Sequence, residues 1–526
     1  MEWLMLSTHT LASVSIPGAC FIIFLFFLYL KIAAMRPRSP LPPGPPSMPI
    51  IGNLLDMPRR SAWLTYKELS RRYGKLVYLG AAGRGFLVVD DANIAVELLE
   101  KHSVIFSSRP ESTMVNLTGL EWALVFTPYG SLWRRQRRLF WQHFHPGVIH
   151  NYFPTIQQGA RNLLSRLVIS PEKLSEHVRY TLGSSMIKVT YGLDVAKSKD
   201  KYLSTLERGM EGFGLLAHEY TPLFEVFPKL SRIPQWLPGA GFLRHLAAAR
   251  QATYALRDIP WRAAKDNIAQ NGAGHSIASA IIEGLTELST NSAADEEGIA
   301  KDVAAVTYAG GIDTVAAQHS ALCGFFVAMS LFPEVQRAAQ AELDAVVGPD
   351  RLPELADREA LPYVNSVVKE LLRWHSSAPL GCPRMTTEDF KYDGYFIPRN
   401  TIVVVNVWSI MNDPEMYPSP ERFWPERYLR DGKLNPNVRD PTSIAFGFGR
   451  RICPGRYFGD ATLFIYIASI LHTFRIAPPY DENGDPIHIR PQYTNGFIAH
   501  LEDCRCTITP RSASAEALIR ASEIGI

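Results

Sequence analysis

The chemistry of this chain gathers around one cysteine. Residues 446–455 read Phe-Gly-Phe-Gly-Arg-Arg-Ile-Cys-Pro-Gly, a run of the form F-x-x-G-x-R-x-C-x-G that opens an apolar helical pattern. Five fixed identities at this spacing would recur by chance in a chain of this length with a frequency of about 10⁻⁴. Cys453 is therefore a candidate axial ligand to a haem rather than a packing thiol. Such a thiolate must stay deprotonated, and the free N–H groups of a helix start stabilise negative charge on sulfur. Gly449 and Gly455 carry no side chain where backbone would pass under a flat macrocycle, beside Phe446, which opens the motif. Arg451, two residues before the cysteine, is placed to meet a haem propionate.

On these residues the chain resembles the cytochrome P450 superfamily, and the likeness extends over nearly its whole length after the N-terminus. It implies a mostly α-helical fold with a small β-rich part, one large domain, and haem b bound through the Cys453 thiolate. The family has a Glu-x-x-Arg pair on a helix upstream of the cysteine. The same spacing occurs at Glu68/Arg71, Glu176/Arg179, Glu334/Arg337 and Glu502/Arg505, but only Glu370/Arg373 lies in a helical run, residues 361–374, followed by a proline-containing loop and by the segment 420–428. Side chains three apart on a helix share a face and can form an ion pair. By the resemblance an arginine of 420–428 completes a Glu–Arg–Arg cluster, Arg427 in preference to Arg422, and the cluster locks the proximal side of the haem pocket.

Ala309-Gly-Gly-Ile-Asp-Thr314 interrupts a long apolar helix expected from about Ala300 to Leu331. Each glycine in a helix interior costs about 1 kcal/mol relative to alanine, which points to the close approach of a ligand. The resemblance implies that Gly310 and Gly311 leave room for oxygen over the haem, that Thr314 hydrogen-bonds the oxygen and its waters, and that Asp313 relays protons from solvent. A third haem contact is implied by Trp133-Arg-Arg-Gln-Arg137, where Trp133 and Arg137 share a helix face and can both donate to a propionate. Arg134 and Arg138 share another face, which should be basic and solvated. Arg384 occupies the place of a further propionate partner.

The chain has 526 residues, 47% hydrophobic and 20% charged, enough for a large core, and no linker or repeat divides residues 60–500. A formal charge of +3, without a basic run carrying interleaved aromatics, argues against nucleic acid as a partner. Fourteen scattered histidines suggest no zinc site, and six cysteines in so long a chain are no disulfide framework. Cys504 and Cys506 form a C-x-C pair on an alternating stretch and read as two thiols on one face.

Residues Trp3 to Leu30 carry no Lys, Arg, Asp or Glu, and Leu11–Leu30 supplies about the 20 residues a membrane-spanning helix needs, although Pro17 and Gly18 break its start. Lys31, Arg36 and Arg38 follow and should stay cytosolic. A signal peptide would carry its charge before the apolar core, where this chain has only Glu2. The expected division is a transmembrane anchor at 1–35, a stiff proline-rich hinge at 36–50, a catalytic domain at 51–510 and a mobile tail at 511–526. The resemblance places the enzyme on the endoplasmic reticulum membrane, single-pass, with the catalytic domain cytosolic.

The expected function is a monooxygenase that inserts one oxygen atom of O2 into an apolar molecule, resembling fungal microsomal enzymes of secondary metabolism that act on terpenoid or indolic scaffolds. The chain has no Gly-rich dinucleotide fingerprint, so its electrons should come from a separate NADPH-cytochrome P450 reductase. The pocket is expected from Ser107–Tyr129 and from the region around Phe213–Phe227. A haem-thiolate isomerase or dehydratase needing no reductase, and a non-enzymatic haem-binding membrane sensor, are the alternative readings.

Overall fold

The computed structural model describes residues 39–195, 201–216, 221–234, 236–238, 240–272, 274–286 and 290–522, with backbone alone at 222, 286, 290–293 and 311–316. It is mostly helical, with a small sheet region at one side. The expected membrane span at Leu11–Leu30 lies outside the described residues, and among those described no helix is long and apolar enough to cross a membrane.

Helix α1 (Ala62–Tyr73) leads into the hairpin β1 (Leu76–Ala81) and β2 (Arg84–Val89). Ala82 and Gly83 turn between them with φ of 48° and 78°, and two left-handed residues match the twist of the flanking strands. Among the helices that follow are α2 (Ser131–Phe144), α3 (Phe153–Ile169), α4 (Leu174–Tyr191), α5 (Gly241–Asn271), α6 (Thr290–Leu331), α7 (Pro333–Val346) and α8 (Pro362–Trp374). Next come β3 (Arg384–Met385), β4 (Phe390–Tyr392), β5 (Tyr395–Ile397) and β6 (Ile402–Val405). The main sheet has the order β1-β2-β6-β3, with β2 parallel to β6 and the other pairs antiparallel. All four residues of β6 are buried, as a strand covered on both faces requires. Helices α9 (Arg456–Thr473) and α10 (Ala513–Ala521) complete the set used below.

The core is built around α6. Ala300, Val303, Ala304, Tyr308, Phe325, Phe326 and Met329 are buried around its circumference, the pattern of a helix enclosed on all sides. Helices α4, α5 and α9 pack against it. Helix α8 begins at Pro362, whose missing N–H leaves no orphan donor, and the next two amides donate to Glu342 of α7 at 2.8 and 2.9 Å.

Two expected boundaries are corrected. The described part of the proline-rich segment is pinned to the domain: the amides of Phe396 and Tyr78 donate to Pro40 O and Pro43 O at 2.8 Å each, and Asn53 Nδ2 donates to Pro45 O at 3.1 Å. Its carbonyls, which prolines keep, are used as sheet-edge acceptors. Residues 511–522 are likewise no loose tail. Ser512 caps α10 by accepting from the Ala515 amide, Ile519 is buried, and Arg511 is paired with Asp344.

Candidate active site

Cys453 lies between a 3₁₀ turn, Gly449–Arg451, and the first turn of α9. Its amide donates to Phe446 O at 2.8 Å, which closes the loop on itself and turns the side chain into a cavity of about 340 Å³. Burial raises the thiol's pKa, while the Gly455 amide and the guanidinium groups of Arg137 and Arg456 act against it. The loop amide, Arg137 of α2 and Arg456 of α9 thus favour a thiolate, set against a site that is otherwise apolar. Gly455 lines the same cavity, and a Cβ there would meet nothing within 4 Å. Gly449 does not line it. That residue has φ of 51°, and a Cβ on it would lie 2.2 Å from Leu99 O, so its role is the close approach of the motif to the segment Glu97–Lys101.

The opposite wall is α6, which contributes Val306, Thr307, Ala309 and Gly310. Among the described residues a Cβ on Gly310, which lines the cavity, would reach only Val306, at 3.7 Å. The helix continues through Gly311, Asp313 and Thr314, whose side chains lie outside the described residues. Leu124, Val125 and Phe213 come from the two segments expected to form the pocket, with the rings of Phe126 and Phe213 5.9 Å apart. Phe224, from the second of those segments, packs instead against Met114 and Leu243 in a separate cluster.

Arginines gather at one end of the cavity. Trp133 and Arg137 both line it from α2, and Arg451 lies over the Trp133 ring at 4.7 Å. Arg451 donates from Nε to Ser107 O and from Nη2 to Thr127 O, each at 2.8 Å. Arg384 sits behind this layer, buried, with Nη2 on Phe448 O at 2.6 Å and Nη1 without a partner among the described residues. Sequence reasoning missed Arg109, which lines the cavity and donates to Val125 O, Cys382 O and Pro383 O at 2.6–2.8 Å. Its only signal is a single charge in the stretch Phe106-Ser-Ser-Arg-Pro110. Burial first, and neighbouring arginines second, lower Arg137 to about 10, Arg384 to about 9 and Arg451 to about 8. None of Arg109, Arg137, Arg384 and Arg451 pairs with a carboxylate among the described residues. Buried cations without counter-ions are unfavourable, so the cavity calls for an anionic group from outside the chain. A haem, with two propionates for the arginines and an iron for the Cys453 thiolate, fits that demand.

Gln136, between Trp133 and Arg137, was also missed. It is fully buried, accepts from Thr127 Oγ1 at 3.1 Å and donates to Asp302 of α6 at 3.3 Å, which fastens α2 to α6. Arg134 and Arg138 are exposed on the other side of α2. Behind the cysteine loop, Glu370 accepts from Arg373 Nε and Nη2 at 2.9 and 2.8 Å, and from Arg427 Nε at 3.1 Å, all buried. Arg422 joins this cluster through its carbonyl, which accepts from Arg373 Nη2.

The family model for cytochrome P450 matches residues 42–498. The chain belongs to the cytochrome P450 family. P450 enzymes bind haem through a cysteine thiolate, and this chain is an oxygenase of that kind. Cytochrome P450 monooxygenase COX2 of Coprinopsis cinerea is 41% identical over 472 residues, 90% of this chain and 89% of the relative. Cytochrome P450 monooxygenase ple1 of Rhodocybe pseudopiperita is 40% identical over 484 residues, 90% of each chain. Tryptamine 4-monooxygenase of Psilocybe cyanescens is 37% identical over 469 residues, 88% of this chain and 91% of the relative.

Proposed function

We propose that this P450 inserts one oxygen atom into an apolar terpenoid-like or indolic molecule, with Cys453 as the axial ligand and electrons from a membrane-bound NADPH-dependent reductase. The observation that carries the reading is the placement of Cys453 at the wall of an apolar cavity that ends in unpaired arginines and faces Gly310. Haem bound through a thiolate supplies the oxygen activation needed to attack an unactivated C–H bond.

The chain's own residues do the rest. Trp133, Arg137 and Arg451 at the cavity wall, with Arg384 behind them, would hold the propionates of a bound haem, and Arg109 would add charge on the same side. The Gly455 amide would help to hold the sulfur as a thiolate against the effect of burial. By the family resemblance, Gly310 and Gly311 would leave room for oxygen, Thr314 would orient it, and Asp313 would pass protons inward. Leu124, Val125, Val306 and Phe213 present apolar surface to the substrate and exclude water. The indolic alternative draws support from the relative named tryptamine 4-monooxygenase. The uncharged stretch before Lys31 supports anchoring in the endoplasmic reticulum membrane with the domain in the cytosol.

The test is expression in microsomes with a reductase, NADPH and panels of terpenes and indoles, with products read by mass. Cys453→Ser should abolish the thiolate-type spectrum of the reduced carbon monoxide complex together with product formation. A retained spectrum would overturn the ligand assignment, and product formed without NADPH would turn the reading toward an isomerase or dehydratase.

A further inference from the structure

Gln136 does not line the cavity, yet it is fully buried on α2 and both ends of its amide are engaged. Its Nε2 donates to Trp122 O at 3.2 Å and to Asp302 Oδ2 at 3.3 Å, while Oε1 accepts from Thr127 Oγ1 at 3.1 Å. Asp302 is in turn paired with Arg257 of α5 at 2.7 Å. The contacts at Trp122 and Thr127 bracket a stretch of turns that belongs to no helix or strand. Arg109 and Arg451 grip the same stretch from the cavity side. Arg109 Nε donates to Val125 O at 2.7 Å, and Arg451 Nη1 and Nη2 donate to Leu124 O and Thr127 O at 3.4 and 2.8 Å. Two of the carbonyls that orient the Arg451 guanidinium are therefore carried by a stretch that Gln136 holds from behind.

We propose, on the reading of Arg451 as a propionate partner, that Gln136 is the positioning residue that sets the Arg451 guanidinium against the haem. Thr127 is the link, because its hydroxyl donates to Gln136 and its carbonyl accepts from Arg451. Asp302, Gln136 and Thr127 are all buried, so water does not compete for these bonds, and a lost bond leaves a polar group unpaired in the interior.

Only an amide suits the position. One end must donate to two oxygens, and the other must accept from a hydroxyl. A glutamate of the same size would set a carboxylate oxygen against Trp122 O and the Asp302 carboxylate, and the turns would move away, taking Leu124 O and Thr127 O with them. Arg451 would keep Ser107 O and the Trp133 ring, so haem would be loosened rather than lost.

Holoenzyme of wild type, Gln136→Glu, Thr127→Val and Arg451→Lys would be mixed with excess apomyoglobin and haem transfer followed by absorbance, after each has been shown to give the thiolate-type carbon monoxide spectrum. Gln136→Glu should release haem faster by about tenfold, the equivalent of one charge-assisted hydrogen bond. Thr127→Val removes only the hydroxyl and keeps the carbonyl, and should act in the same direction by less. In an Arg451→Lys background neither change should add to the rate, since both act through the guanidinium. A glutamine that merely supports the fold would add the same factor in both backgrounds, and that result would overturn the proposal. So would release at the wild-type rate from Gln136→Glu and Thr127→Val while Arg451→Lys is faster. Release at the wild-type rate from Arg451→Lys would refute the propionate reading itself, and the proposal with it.

Discussion

Replacing Glu370 by glutamine tests whether the cluster behind the cysteine loop is held by charge. The carboxylate accepts four hydrogen bonds: Oε1 from Arg373 Nη2 and the Trp424 amide, Oε2 from Arg373 Nε and Arg427 Nε, at 2.8–3.1 Å. Glu370→Gln keeps the volume and the two bonds to Oε1. It turns Oε2 into an NH2 that faces two N–H donors, and the cluster changes from one net positive charge to two. Arg373 retains Met411 O and Arg422 O, and Arg427 retains Pro418 O. Those carbonyls hold the groups but do not neutralise them. At about 1.5–3 kcal/mol each, the two bonds lost on Oε2 amount to roughly 3–6 kcal/mol, close to the roughly 3–5 kcal/mol expected for leaving a buried charge without its partner. Urea denaturation of purified holoprotein, followed by Soret absorbance and far-ultraviolet circular dichroism, should show a midpoint lowered accordingly, with m unchanged. A loss below about 1 kcal/mol would refute the reasoning, since surface pairs give such values.

Gly449→Ala should lower the thermal midpoint sharply, because the added Cβ meets Leu99 O at 2.2 Å in a left-handed backbone, whereas Gly455→Ala, with φ of −88° and open space, should not. Equal midpoints for the two would remove the packing role given to Gly449. Burial lowers His375 to about 3 from 6.5, so the stability it contributes is full above about pH 6.5 and lost as pH falls toward the folded value. Melting from pH 7 to pH 5 should therefore weaken wild type more than His375→Gln, and parallel curves would contradict a neutral histidine. Reversing the exposed Arg134 and Arg138 together should slow reduction by reductase and weaken its dependence on salt, which screens such charges over about 8–10 Å. Unchanged stopped-flow rates across a salt series would exclude this docking face.

Local pattern announced what depends on local pattern. The hairpin of β4 and β5 turns on Asp393-Gly394, with φ of 50° and 80°, and a sequence reader can see it. The cysteine motif and the choice of Glu370 among five equal spacings were legible because flanking residues carry information that the pair does not. Other features depend on partners far along the chain. Gly449 was read as making room for a ring, yet its neighbour is a backbone 350 residues earlier in sequence, at Leu99. Arg109 shows nothing local that tells a buried guanidinium from a surface one. Residues 511–522 carry a cap and a short apolar stripe, but it is distant partners, Asp344 and the core around Ile519 among them, that make them a docked helix.

The pinning of the proline segment has a practical consequence for where the folded unit begins. Pro40, Pro43 and Pro45 each offer a carbonyl to a donor inside the domain, and a Cβ on Gly44 would fall 2.0 Å from Tyr78 O, so the strand edge and this segment are cut to fit each other. A protease or an engineered start between residues 40 and 53 would leave the amides of Tyr78 and Phe396 without acceptors and bare the edge of β1, the kind of surface on which chains pair and aggregate. The prolines at 40, 43 and 45 therefore belong to the folded domain and to the edges of its strands, ahead of the first strand.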